Sequence, residues 1–161
     1  MDRMDNIKIT SHADTYWMHI ALYEAHVAAT EGEVPVGAAV VCEGNLISQA
    51  HNCREQNADP AAHAEFLAIE NAAFRLGRWR LTDCTVYVTL EPCLMCAGLM
   101  VNARIGRCVF GTADPKAGAL GSLYALNRDA RLNHSFEVIG GINAHESAQL
   151  LHAFFQSRRK R

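Results

Sequence analysis

The chain has 161 residues, half of them hydrophobic and 20% charged, with a formal net charge of −2. That is the composition of one globular domain able to bury a core without staples, and it excludes a disordered or low-complexity chain. No apolar run approaches the roughly 18 residues that a membrane-spanning helix needs.

Residues 14–30 carry Trp17, Ile20, Ala21, Tyr23, Val27 and Ala28 at helical spacing. The polar, mixed-charge residues ahead of them read as a flexible extension over 1–13. Val36 to Cys42 is a valine-rich strand, Glu43-Gly44-Asn45 a turn, and Leu46 to His51 the return strand of a hairpin. Asp59-Pro60 predicts a helix start, with Asp59 as cap and Pro60 in the first turn, where its missing N–H costs nothing. That helix runs through Phe66, Leu67, Ile69 and Ala73 toward Gly77. Thr85 to Leu90 alternates and is β-branched, a strand; Pro92 opens a helix to about Asn102; Arg107 to Gly111 is a buried strand and Phe136 to Ile139 a further one. Asn143, with Glu146 three residues on, resembles a capping box, and a last helix follows through Leu150, Leu151, Phe154 and Phe155. Strands alternating with helices imply parallel pairing with helices on both faces, and the opening hairpin makes the sheet mixed. The predicted fold is a single α/β domain over 14–161: three layers, α/β/α, around a central mixed sheet.

Charge is unevenly spread. Residues 1–65 carry ten acids and three bases, residues 66–161 seven acids and twelve bases, four of which close the chain as Arg158-Arg159-Lys160-Arg161. A basic end of this kind is either a phosphate contact or a solvated tail. No signal peptide is legible in the opening residues, so the expected setting is the reducing cytoplasm, where cysteine spacing reads as metal chemistry before disulfides. Cys42 and Cys108, inside strand-like runs, read as buried free thiols; Cys53 and Cys84 are open candidates for a fourth metal ligand.

The metal pattern is His63-Ala64-Glu65, followed 27 residues later by Pro92-Cys93-Leu94-Met95-Cys96. One imidazole and two thiolates suit zinc, and three protein ligands instead of four leave a position for water, as catalytic sites do. Cys93 and Cys96, three apart at the start of a helix, put both sulfurs on one face near its positive end, which favours the thiolates zinc needs. Cys-x-x-Cys alone is equally a redox pair, but a redox pair needs no upstream His-x-Glu. The candidate zinc ligands are therefore His63, Cys93 and Cys96, with a zinc-bound water as nucleophile. Glu65 is the candidate catalytic residue, moving the water's proton to a ring nitrogen and then to departing ammonia. On a regular helix His63 and Glu65 point about 200° apart, which argues against Glu65 as a fourth ligand. Its ordinary reading is a solvated surface acid.

These motifs resemble the signature of the cytidine/deoxycytidylate deaminase superfamily. Further segments are similar to the bacterial tRNA-specific adenosine deaminase family: Glu33-Val34-Pro35-Val36-Gly37-Ala38, Asp59-Pro60 before His63, Tyr87-Val88-Thr89-Leu90-Glu91 before Pro92, and Asp114-x-Lys116-x-Gly118-Ala119-x-Gly121-Ser122. The terminal Phe154-Phe155-x-x-Arg158-Arg159 continues the likeness, which spans about Tyr16 to Arg159. The resemblance implies a homodimer that converts the wobble adenosine of a tRNA anticodon loop to inosine, with no part for a membrane. It implies that Asn52 contacts the flipped nucleoside, that Val36 in the Val34–Gly37 turn and the Ala64 backbone line the base pocket, and that Asp114 and Lys116 lie in the anticodon-loop channel. Phe154, Arg158 and Arg159 would sit on an RNA-facing last helix. Read as residues alone, Asn52 is equally a turn residue, Phe154 and Phe155 equally core, and Phe66, Leu90 and Met95 are core. A loop base is already unpaired, so taking it into a pocket costs less than extraction from a duplex.

Two other readings share the zinc motif. A deaminase of free bases or nucleosides, of guanine or cytosine type, needs neither the Asp114–Ser122 loop nor a basic last helix. A non-catalytic zinc module would have four ligands and an inert Glu65.

Overall fold

The computed structural model describes residues 3–160, with side-chain surroundings from His12 onward. One five-stranded sheet runs in the order β2-β1-β3-β4-β5, built from β1 (Gly37–Cys42), β2 (Asn45–His51), β3 (Cys84–Leu90), β4 (Arg107–Thr112) and β5 (Glu137–Ile139). β1 is antiparallel to both of its neighbours, whereas β3, β4 and β5 are parallel. Five helices accompany the sheet: α1 (Arg3–Thr30), α2 (Arg54–Asn57), α3 (Ala64–Leu76), α4 (Leu94–Asn102) and α5 (Ala144–Arg159).

The alternation of the strands sorts the helices into two layers. Ala39 and Val41 of β1, Tyr87 and Val109 face Met18, Ala21 and Leu22 of α1, with Leu150 of α5 beside them. The intervening residues, Ala38, Val40, Val86, Val88 and Cys108, pack on the opposite face against Ala68, Ile69 and Ala72 of α3 and Ala97 and Met100 of α4. β1 is buried at every position, so it carries Ala and Val on both faces instead of alternating polar residues. Each fully buried Val, Ile or Met contributes about 1.5–3 kcal/mol. The three-layer mixed-sheet fold expected from sequence is the one observed. Gly37 sets the approach of α1, because a Cβ there would overlap the Ala21 carbonyl and crowd the Ala25 amide.

Three boundaries and one helix cap differ from the sequence reading. The helix expected from residue 14 has helical backbone from Arg3; of the extension expected over 1–13, Met1 and Asp2 lie outside the described residues, as does the terminal Arg161. Asp59 does not cap α3: its Oδ1 accepts the Ala61 N–H at 2.9 Å and closes a local turn, and α3 starts at Ala64 with His63 as N-cap. α4 starts at Leu94, after Cys93, and not at Pro92. At α5, Asn143 and Glu146 bond side chain to side chain, Nδ2 donating to Oε1 at 2.8 Å. Asn143 has left-handed backbone (φ 55°) and makes no side-chain cap bond, so the expected capping box does not form.

Candidate active site

A pocket of about 330 Å³ opens where the C-terminal ends of β3 and β4 meet the residues leading into β1. Crevices at carboxyl strand ends are where α/β sheets place ligands. α3 and α4 both begin at this pocket, and their N-caps, His63 and Cys93, line it.

Both caps have extended backbone, His63 at φ −74°, ψ 150° and Cys93 at φ −76°, ψ 177°, and neither side chain makes a cap hydrogen bond. Both side chains turn into the pocket instead. His63 Nδ1 lies 3.6 Å from Cys93 Sγ and 3.5 Å from Cys96 Sγ, and all three donor atoms fall within 4.8 Å of one another. A tetrahedral zinc with bonds of about 2.3 Å to sulfur and 2.0–2.1 Å to nitrogen sets those atoms about 3.5–3.6 Å apart. The donor set and its spacing therefore fit zinc. The Cys96 thiol bonded to Cys93 draws the Cys93 pKa down to about 3, and the same bond, with burial, pushes Cys96 up. The bond to Cys93 also raises His63 against the opposing effect of burial. A cation placed among these groups displaces the remaining proton and takes both sulfurs as thiolates.

Glu65 is buried, with 4% of its surface exposed. Desolvation raises its pKa; bonds from its own backbone N–H and from Cys96, and the nearby His63, oppose the rise. The 200° objection lapses, because His63 lies outside the helix that carries Glu65. Both line one pocket. A desolvated carboxyl group beside a three-donor metal triangle can take and return protons at a reacting centre.

Asn52, Val36, Ala64 and Asp114 also line the pocket. Asn52 is half committed: its Nδ2 donates to the Val34 carbonyl at 3.2 Å and its Oδ1 accepts the Arg54 N–H at 3.2 Å. Asp114 Oδ1 accepts the Lys116 and Ala117 N–H groups, so its carboxylate shapes its own loop. Lys116 is exposed and lines an adjoining groove with Leu94, Leu123 and Tyr124. Phe154, Arg158 and Arg159 stand apart from the pocket. Phe154 is half-buried under the Arg158 guanidinium, 4.5 Å from the ring centre, while Phe155 is exposed. Arg158 donates to the Gly32 carbonyl and thereby ties the end of α5 to the segment before Glu33.

Leu90 packs against the core as expected and also lines the pocket, whereas Met95 is 36% exposed. Neither Cys53 nor Cys84 joins the metal triangle: the Cys53 thiol donates to the His51 carbonyl, and Cys84 begins β3 at the end away from Leu90. Glu33, Arg54, Glu55, Glu91 and Ala117 also line the pocket, without having been expected there. Glu33 binds the Glu55 and Gln56 N–H groups, Glu91 binds Ser122, and Arg54 stands on α2. Glu33 and Glu91 fall inside the quoted motifs, but their partners lie more than 20 residues away in sequence.

An open metal triangle with a buried carboxyl group at the strand ends of an α/β/α sheet defines a hydrolytic zinc enzyme. The family model of the cytidine and deoxycytidylate deaminase zinc-binding region matches residues 11–112. The tRNA-specific adenosine deaminase of Bacillus subtilis is 47% identical over 92% of this chain and 92% of its own. A solved tRNA:A34 deaminase, which edits A to I at the wobble position of transfer RNA, superposes with a TM-score of 0.82 at 40% identity, covering 85% of this chain and 99% of that one. A guanine deaminase of Nitrosomonas europaea shares the fold at a TM-score of 0.72 and 22% identity, over 87% of this chain and 83% of its own. The chain belongs to the cytidine and deoxycytidylate deaminase family and is a zinc-dependent hydrolytic deaminase.

Proposed function

We propose that this protein hydrolytically deaminates adenosine to inosine at the wobble position of a tRNA anticodon loop, working in the cytoplasm as a homodimer whose catalytic unit is residues 14–161. The single observation that carries the chemistry is the His63–Cys93–Cys96 triangle beside buried Glu65 in one pocket. High identity over almost the whole chain to a tRNA-specific adenosine deaminase supports the substrate.

His63, Cys93 and Cys96 would hold a zinc ion, which when bound would supply a nucleophile at neutral pH by lowering the pKa of water to about 7. Glu65 takes one proton from the attacking water and delivers it to a ring nitrogen of the base as the C–O bond forms, then passes the water's second proton to the amino group, which leaves as ammonia when the C–N bond breaks. Val36 and the Ala64 backbone bound the base and exclude solvent. Asn52 keeps one N–H and one lone pair beyond its two local bonds, enough to orient the nucleoside. Lys116, Arg158 and Arg159 supply positive charge for the phosphates of the loop, and Asp114 holds the turn that presents Lys116. Leu94, Met95, Leu123, Tyr124 and Leu132 leave exposed apolar surface around α4, which supports self-association there. No helix among the described residues is long and apolar enough to cross a membrane.

The test is turnover of adenosine, cytidine, guanine and an anticodon stem-loop bearing a wobble adenosine. Inosine forms in the stem-loop only; comparable turnover of a free base would overturn the RNA assignment. Lys116→Ala weakens stem-loop binding and reduces the slope of log affinity against log salt by about one. Sedimentation at working concentration reports a dimer.

A further inference from the structure

At the pole of the sheet opposite the pocket, Cys42 ends β1, Cys84 begins β3, and the two are direct partners across the antiparallel ladder. Both are buried, on the face covered by α3 and α4. Asp83 adds a carboxylate: Cys84 Sγ lies 3.6 Å from Asp83 Oδ1, and one donor from each of the three residues falls within 4.8 Å of the others. Outside the deaminase triangle, this is the only other such group of His, Cys, Asp and Glu among the described residues.

We infer that Cys42, Asp83 and Cys84 form a second metal site, selective for a thiophilic divalent cation such as zinc. A tetrahedral zinc places a sulfur and a carboxylate oxygen about 3.6 Å apart, which is the Cys84–Asp83 separation. Two thiolates and a carboxylate around a divalent ion leave one negative charge. Arg78 is placed to neutralise it, with Nη2 at 2.7 and 2.9 Å from the two Asp83 oxygens and 3.8 Å from Cys42 Sγ. Each carboxylate oxygen has a second lone pair, so Arg78 can hold Asp83 in place while Oδ1 ligates. Arg78 is thus a positioning residue, oriented in turn by the bond from its Nη1 to the Arg80 carbonyl. Burial pushes both thiols up, Cys84 to about 12, so the empty pair is an unreactive dithiol and metal uptake releases protons.

The experiment dialyses the reduced full chain against excess zinc, removes the free ion, and counts zinc per chain by elemental analysis and thiols in denaturant. The site predicts two zinc ions per chain with all six cysteines reduced. Asp83→Asn, which leaves both buried sulfurs in place, and Cys84→Ala each lower the count to one without changing the deamination rate. One zinc per fully reduced wild-type chain overturns the inference. So do two zinc ions retained in both variants, or loss of two thiols to a Cys42–Cys84 disulfide without a second ion.

Discussion

The Glu91 carboxylate fills the space in which Gly118 would carry a Cβ. Its Oε1 accepts the Ser122 hydroxyl at 2.7 Å and its Oε2 the Ser122 N–H at 3.4 Å, while the Ala119 N–H donates to the Pro92 carbonyl at 2.8 Å. The 114–122 loop is therefore latched to the two residues immediately ahead of Cys93. Gly118→Ala should displace Glu91 and unlatch the loop at a cost of about 1–3 kcal/mol, the range for overpacking a filled site. Thermal melts give the stability change, and the deamination rate should fall with it, because the displaced segment leads directly into a zinc ligand.

Glu65→Gln keeps the shape of the side chain and removes its capacity to carry a proton. Zinc content should stay at the wild-type level while inosine formation drops by about 10²- to 10⁴-fold, the usual contribution of a positioned acid–base group. His63→Ala should do the reverse in order of cause, losing the ion first and activity with it. Metal analysis of the two variants side by side separates the roles.

His51 bridges two acids, Nδ1 at 2.7 Å from Glu24 and Nε2 at 2.8 Å from Glu31. Burial lowers its pKa, but the bonds to Glu24 and Glu31 outweigh that and the net shift is upward. A raised pKa means the folded state holds the proton more tightly than the unfolded one. The resulting stability is fully present below the ordinary imidazole pKa of about 6.5 and is lost as pH rises through the elevated value. Chemical unfolding of wild type and His51→Gln across neutral to mildly alkaline pH should show a falling component in the first and none in the second.

Asp14 is buried and accepts two N–H bonds from Arg107, at 2.8 and 2.6 Å, and the Tyr87 hydroxyl at 2.8 Å. Asp14→Ala leaves a mostly buried guanidinium only the exposed Glu137, 3.5 Å from its Nε, and should cost about 3 kcal/mol, the lower end for breaking a buried pair, since Arg107 also keeps 17% of its side chain in solvent.

What could be read from the sequence follows from how far each interaction reaches. Strand alternation and helical spacing are local, and they were enough for the three-layer mixed sheet. The His63-x-Glu65 and Cys93-x-x-Cys96 pairs each span one turn, so the metal triangle was legible as well. The start of α3 was misplaced because Asp59-Pro60 has the local chemistry of a helix start and spends it on a turn, with His63 capping instead. Glu33 on Gln56, Glu91 on Ser122 and Arg158 on Gly32 are bonds between residues 23, 31 and 126 positions apart, and nothing in the neighbourhood of either partner announces them. Asn143 kept the letters of a capping box, but a left-handed backbone turned its side chain toward Glu146.

The first helix crosses the whole domain. It passes Asp14 beside Arg107 at the opening of β4 and ends at Thr30, next to the segment that enters the pocket. The Asp14 end of this stretch accordingly lies at the pole remote from chemistry and its Thr30 end at the mouth. Weight hung on the end of α5 would instead pull on the Arg158–Gly32 tie, one residue from Glu33 of the pocket, so a tethered version of this enzyme should leave that end free.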